Sequence, residues 1–225
     1  MRKVLSGTAI AALLMLTSCA QTRDAPTRSP RSPSGPISRP VPTPPPDLRQ
    51  CLADLSATGA SYTRHPDQDF GNGCRTIGTV KVASLQGDAS RFAVGNIGPV
   101  TCDAAEKLSA WARFGVDRAA RKILGSGLAR IETFGTYQCR NVAGTSRRSG
   151  HASANAIDVS AFVLEDGRRL TVLDDWYGGT VEEREFLRVI WRSACKRFGT
   201  VLGPEYNSAH KNHFHLEADR AGFCR

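Results

Sequence analysis

Hydrophobic and polar residues alternate along several short segments of the chain, which is the spacing of half-buried β-strands. The pattern predicts strands at residues 129–137, 156–162, 169–173, 200–202 and 214–218. Between the second and third of these, Asp166 and Gly167 form a hairpin signal. The second half of the chain is therefore expected to contain a sheet.

Apolar residues recur at helical spacing in two longer segments. Residues 103–124 predict helical structure that Gly115 can divide into two helices. Thr180 begins a capping box that opens a helix through Phe198, with Gly199 as its stop. Strands and helices together predict an α+β domain with a small, mainly antiparallel sheet flanked by helices.

The alternation within residues 156–162 places an acidic side chain away from the core. Successive side chains of a strand point to opposite faces. Ile157, Val159 and Ala161 are predicted to face the core, which leaves Asp158 and Ser160 on the opposite face. A carboxylate in an apolar strand needs a partner to offset its desolvation, and a metal ion is a strong one.

The same rule applied to residues 213–216 groups two histidines. Phe214 and Leu216 are predicted to be buried on one side, so His213 and His215 lie together on the other. Two neighbouring strands could then present Asp158 and His215 to one metal ion.

The chain begins with features of an export signal. Residues 1–18 have a basic start and a short apolar stretch that cannot span a bilayer as a helix. The sequence LTSC, ending at Cys19, resembles the lipobox of bacterial lipoproteins. This resemblance implies cleavage before Cys19 and a lipid on its sulfur, while Ala20 implies the periplasmic face of the outer membrane. An ordinary secretory peptide is the alternative.

Residues 19–47 are predicted to form the lipidated cysteine and a linker, because nine of the twelve prolines lie between Pro26 and Pro46. Such a composition cannot bury a core and favours extended polyproline II structure.

Residues 48–225 are of a length that suits one domain with its own core. The net charge is +9 for the chain and +5 for this domain. That mild bias suits an anionic envelope polymer, and no motif indicates nucleic acid.

Six cysteines fall within the predicted domain, namely Cys51, Cys74, Cys102, Cys139, Cys195 and Cys224. An even number in an exported domain predicts three disulfides, although the sequence does not choose among the fifteen pairings. The spacing CxxC is absent from the sequence, which argues against a cysteine-based zinc site.

Four of the five histidines fall in two short segments of the chain. His151 stands in the first segment, seven residues before Asp158, and the second runs from His210 to His215. His151, Asp158 and His215 supply two imidazoles and a carboxylate, the ligand set of a catalytic zinc with a fourth position for water. We therefore predict one Zn²⁺ per domain. A histidine-rich surface loop is the alternative.

The motif Ser-x-His-x6-Asp followed by His-x-His resembles that of the LAS metallopeptidases, which include D-alanyl-D-alanine carboxypeptidases and murein endopeptidases. A closer resemblance, over residues 48–225, is to the bacterial extensin-like C-terminal domain family. It is carried by YQCR at 137–140, HASANAIDV at 151–159, and LGP at 202–204 leading to HKNHFH at 210–215. The resemblance implies a LAS metallopeptidase-like fold, of the hedgehog and DD-peptidase type.

The resemblance also implies roles for individual residues. His151, Asp158 and His215 correspond to zinc ligands. His213 corresponds to the first histidine of His-x-His and is expected to act as general base where other members use a glutamate. His210 corresponds to a further active-site histidine of the endopeptidase branch.

An arginine that polarises the scissile carbonyl or binds the substrate is implied as well. Arg140 is assigned to this role, although two residues separate it from Tyr137, whereas carboxypeptidase relatives carry adjacent Tyr-Arg. Arg147 and Arg148 remain alternatives. Ala154 stands where many relatives have glycine.

These observations predict a monomeric zinc peptidase that hydrolyses amide bonds in peptidoglycan stem peptides or cross-links and is held to the lipid bilayer through Cys19. A second hypothesis is a zinc-containing cell-wall binding or structural module without turnover, and a third is an envelope metal-handling protein. The presence of His213 favours the enzyme. Only two methionines occur, which argues against a metal-storage tract.

Overall fold

The structure is a computed structural model that describes residues 46–225. The predicted signal peptide, Cys19 and most of the proline-rich segment lie outside the described residues. Between residues 46 and 225, no helix is both long enough and apolar enough to cross a membrane.

The described part of the chain contains four α-helices and twelve strands. The helices are α1 (Pro46–Ala57), α2 (Cys102–Trp111), α3 (Val172–Gly178) and α4 (Val181–Cys195). The strands are β1 (Ser61–Arg64), β2 (Gln68–Gly71), β3 (Cys74–Thr76), β4 (Thr79–Gln86), β5 (Arg91–Gly95), β6 (Val100–Thr101), β7 (Leu128–Gly135), β8 (Ala156–Leu164), β9 (Arg169–Thr171), β10 (Thr200–Leu202), β11 (Phe214–Glu217) and β12 (Phe223–Cys224).

Ten of these strands form one mixed sheet, and β2 pairs separately with β3. The main path of the sheet is β1-β4-β5-β7-β8-β11-β10-β12, with β6 beside β4 and β9 beside β8. Most neighbours are antiparallel, while β5 with β7 and β10 with β12 are parallel. The predicted α+β class is confirmed. The sheet is larger than predicted, because the sequence pattern did not predict β1, β4, β5, β6 and β12.

The helical segment predicted at residues 103–124 is present, but the expectation that Gly115 divides it is wrong. After α2 the chain stays helical through wider, π-helical turns at Ala112–Asp117 and Ala120–Leu124. A Cβ at position 115 would lie 2.5 Å from Ser193 Oγ of α4. The glycine therefore allows the close approach of another helix.

The capping box predicted at Thr180 is confirmed. Thr180 Oγ1 accepts a hydrogen bond from the Glu183 backbone, and the Glu183 carboxylate accepts one from the Thr180 backbone. The helix ends at Cys195 rather than at the predicted Phe198. A Cβ on Gly199 would overlap the Asp219 backbone, so this glycine permits a close chain crossing.

The central strand β8 follows the predicted alternation only in its first half. Ile157 and Val159 are buried in the core, as predicted. A register shift against β7 follows, and Phe162 and Leu164 then continue the core. Ala161 is buried as predicted, but it lies outside this core cluster. The register shift is a β-bulge in β8, so the side chains after it face the opposite side of the sheet from the one that the alternation predicts.

The strand predicted at residues 169–173 is shorter than expected. β9 ends at Thr171, whose side chain accepts a hydrogen bond from the Asp174 backbone and caps α3. The helix signal of a capping threonine with two following aspartates overrides the strand pattern there.

The six domain cysteines form three disulfides, which confirms the predicted number. The pairs are Cys51–Cys102, Cys74–Cys139 and Cys195–Cys224. They join α1 to α2, β3 to the segment after β7, and the end of α4 to β12. Such a framework is typical of domains that fold outside the cytoplasm.

Replacing both Cys74 and Cys139 with serine is expected to lower the free energy of unfolding by about 4 kcal/mol, since the bond closes a long loop of the unfolded chain. The bond spans a sequence separation of 65 residues. Urea unfolding of the oxidised wild type and the double variant measures the change. A loss below about 1 kcal/mol would show that other contacts already hold this segment.

Candidate metal centre

The register of two adjacent strands and the turn before one of them bring the predicted ligands together. β11 pairs with β8 so that His215 lies opposite Asp158, while Phe214 lies opposite Val159. Phe214 is fully buried in the core, so its neighbour His215 faces the other side. His151 comes from a short 3₁₀ turn, Gly150–Ser153, immediately before β8.

Three donor side chains converge at this point. His151 Nε2 lies 3.1 Å from Asp158 Oδ2, and His215 Nδ1 lies 2.9 Å from Asp158 Oδ1. The two ring nitrogens are 3.2 Å apart. The predicted group of His151, Asp158 and His215 therefore forms a cluster that could hold a metal ion.

The donor geometry fits such an ion. Zinc bonds of 2.0–2.1 Å in a tetrahedron place neighbouring donors about 3.3 Å apart, close to the separations within this cluster. His151 and His215 are only 2% and 6% exposed. Two imidazoles and one carboxylate meeting in a buried position form a donor set suited to zinc.

Outer contacts set the orientation of both histidine rings. His151 Nδ1 makes a short hydrogen bond to the backbone oxygen of Thr136, which leaves Nε2 facing the cluster. His215 Nε2 lies 3.4 Å from Glu217 Oε2, which leaves Nδ1 facing Asp158. Glu217 was not among the predicted site residues, although the alternation that groups His213 with His215 extends to it.

Electrostatics couple the carboxylate to the histidines in the metal-free protein. Burial opposes ionisation of Asp158, but hydrogen bonds from His151 and His215 hold its pKa well below the usual range. Burial alone would lower the pKa of His215, whereas hydrogen bonds to Asp158 and Glu217 raise it to about 9. At neutral pH the metal-free cluster therefore contains an Asp158–His215 ion pair.

We expect metal binding to release about one proton at pH 7.5, because His215 Nδ1 must lose its proton to become a ligand. The raised pKa of about 9 makes the protonated form dominant below that pH. The apparent affinity should therefore rise with pH and level off near pH 9. Calorimetry in buffers of different ionisation enthalpy measures the released proton. Uptake of zinc without proton release would contradict a charged His215 in the metal-free protein.

The other two predicted histidines lie beside the cluster. His213 Nε2 is 3.4 Å from Asp158 Oδ1, and His213 Nδ1 is 2.9 Å from Asn212 Oδ1. The His210 ring centre is 5.2 Å from that of His213 and 5.8 Å from that of His215. All predicted histidines of the site are thus brought together.

Both of these rings favour the neutral state. Burial lowers the pKa of His213, and the charge of Asp158 only partly offsets it. Burial and the nearby His213 and His215 lower the pKa of His210 to about 4. A neutral imidazole has one nitrogen that accepts a hydrogen bond or a proton and one N–H that donates a hydrogen bond.

His210, His213 and His215 line a cleft of about 540 Å³, and arginines line it as well. Arg140 and Arg147 line this cleft. Arg140 Nε donates to Gln138 Oε1 at 2.7 Å. Arg148 instead donates to the Asn72 backbone oxygen and to Asn141 Oδ1, and it does not line the cleft. Two of the three candidate arginines can therefore reach a molecule in the cleft.

Ala154 ends the 3₁₀ turn that carries His151. Its φ of 56° lies in the left-handed region, where glycine is free of the penalty that Cβ imposes. Its backbone oxygen accepts a hydrogen bond from Thr101 at 2.9 Å. The backbone at this position explains the preference for glycine that the resemblance implies.

The fold and the cluster together define an α+β domain with three disulfides and a buried His/Asp/His group that could hold a metal ion. The chain matches the family model for the extensin-like protein C-terminus over residues 49–225, and it belongs to that family. Comparisons with curated proteins and with solved structures give no match.

Proposed function

We propose that the domain is a zinc-dependent peptidase that hydrolyses amide bonds in peptidoglycan stem peptides or cross-links. The observation that carries the proposal is the convergence of His151, Asp158 and His215 beside His213. His213 and His215 line a cleft, which we propose admits the peptide. A structural zinc site is closed by four protein ligands, whereas three ligands leave a position for water.

Zinc bound by His151, Asp158 and His215 would lower the pKa of its water and polarise the scissile carbonyl. His213 is proposed to take the proton of the attacking water and to deliver it to the leaving amine. Its lowered pKa keeps the ring neutral and ready to accept a proton. The Asn212 contact orients the ring.

His210 and Arg140 are proposed to act on the substrate. The His210 ring is held by a 2.7 Å contact between Nδ1 and Asn207 Oδ1, which leaves Nε2 available. Arg140 has terminal guanidinium nitrogens that can stabilise an oxyanion or hold a substrate carbonyl. We assign this role to Arg140 over Arg147, because Arg140 is the less exposed of the two.

The substrate class follows from location and resemblance together. The histidine and aspartate motifs resemble those of the LAS metallopeptidases, and we propose a shared fold and chemistry. Lipidation at Cys19 and a proline-rich tether would place the domain against the cell wall. At roughly 3.1 Å per residue, the linker could reach on the order of 80 Å.

The proposal predicts that the zinc-loaded domain converts purified muropeptides into products that differ by one molecule of water, and mass spectrometry detects them. The Asp158→Asn variant should give none of these products. A protein that binds zinc and sacculi but leaves every muropeptide intact would overturn the proposal and favour the non-catalytic wall-binding module.

A further inference from the structure

Glu217 follows the histidines on the same face of β11. Phe214 and Leu216 are fully buried on the core side, so His213, His215 and Glu217 share the opposite side. The Glu217 side chain is 18% exposed, and Oε2 lies 3.4 Å from His215 Nε2. Among the described residues, the Glu217 carboxylate forms its hydrogen bond with His215.

Gly150 makes room for this carboxylate. A Cβ on Gly150 would overlap the Glu217 carboxyl group. The backbone of Gly150 is not left-handed, so an alanine can adopt it. The Glu217 carboxylate can therefore occupy this position only because residue 150 has no side chain. That space lies next to His151, one of the ligands that the same turn supplies.

We propose that Glu217, seated against Gly150, is a positioning residue that holds the His215 ring with Nδ1 towards the metal. The carboxylate accepts the Nε2 hydrogen, fixes the tautomer and makes the ring a stronger ligand. The ring could otherwise rotate about its χ2 bond and turn Nδ1 away from Asp158. The inference rests on the metal site of the proposed function, but not on hydrolysis.

Zinc affinity tests this role directly, with zinc alone as the probe and a chromogenic chelator as competitor. Loss of an outer partner of a ligating histidine weakens metal binding roughly 10- to 100-fold. We expect a loss of this size in Glu217→Ala. Glu217→Gln keeps an acceptor for Nε2–H and should recover most of the affinity. Glu205→Gln removes a surface carboxylate that pairs with Arg188, and it should bind zinc like wild type.

Gly150→Ala supplies an independent test, because the new Cβ displaces the carboxylate without removing it. Its zinc affinity should fall as in Glu217→Ala, and the double variant should be no weaker than Glu217→Ala alone. Non-additivity of this kind identifies residues that act through one contact. Thermal unfolding of the metal-free variants checks that each one folds.

Three outcomes overturn the inference. A folded Glu217→Ala variant that binds zinc as tightly as wild type contradicts the inference. In that case both proteins bind zinc, so the metal site of the proposed function is unaffected. Additive losses from Gly150→Ala and Glu217→Ala show that the two do not act through one contact. Absence of zinc binding in wild type removes both the inference and the proposed function.

Discussion

Replacing His213 with alanine is expected to leave zinc bound but to slow amide hydrolysis by roughly 10²- to 10⁴-fold, the usual contribution of a general base. Replacing His215 with alanine should abolish both metal binding and hydrolysis, because only two ligands remain. His210→Ala should give an intermediate loss of activity with zinc retained, since His210 is proposed to contact the substrate.

Zinc content by mass spectrometry and muropeptide cleavage, measured on the same preparations, separate these roles. His213→Gln serves as a second variant, because the buried His213 ring also packs edge-on against Phe134 at 5.8 Å between ring centres. Loss of metal in His213→Ala as complete as in His215→Ala would make His213 a ligand, and the proposed catalytic base would then be wrong.

Asp158→Asn is expected to reduce bound zinc from about one equivalent to nearly none, because it removes the charge of the proposed carboxylate ligand at the centre of the cluster. Asp158 contacts both His151 and His215 and lies near His213. The loss of affinity should exceed the roughly 10- to 100-fold effect of an outer contact.

Asp219→Asn is the matched control for this substitution. Asp219 lines the cleft beside the cluster, and its carboxylate accepts hydrogen bonds from Thr200 Oγ1 and the Ala221 backbone. It should keep its zinc. Unchanged metal content in Asp158→Asn would remove Asp158 from the ligand set.

The strands that carry the cluster were predictable because each has one buried face. Apolar and polar residues alternate without a break in 157–159 and 214–216, so the faces of Asp158 and His215 follow from the pattern. Their direct opposition is a matter of register, which the local sequence of one strand does not contain. His151 lies on a turn, and its position could be anticipated only through the motif.

The first half of the sheet escaped prediction for two physical reasons. β1 is almost entirely exposed, so it leaves no pattern of burial in the sequence, and the same holds for β2 in the separate two-stranded sheet. β4 does bury Val80, Val82 and Leu85, but a register shift against β1 interrupts its alternation. Cysteine pairing was equally hidden, since it depends on contacts between segments far apart in the chain.

The choice between the arginines needed the structure for a similar reason. Arg147 and Arg148 are neighbours in sequence, yet only Arg147 lines the cleft. Arg148 is held by Asn72, a residue 76 positions away. Glu217, in contrast, lies two residues after His215, so the alternation that groups His213 with His215 also predicts that Glu217 shares their face. The local sequence of the strand was sufficient to identify it as a site residue.

The anomalous signal at the zinc absorption edge, measured on crystals of the zinc-loaded domain, tests the metal site most directly. We predict a single strong peak within about 2.0–2.2 Å of His151 Nε2, an Asp158 carboxylate oxygen and His215 Nδ1. A strong peak coordinated by His210 and His213 instead, with His151 and Asp158 beyond bonding distance, would contradict the account.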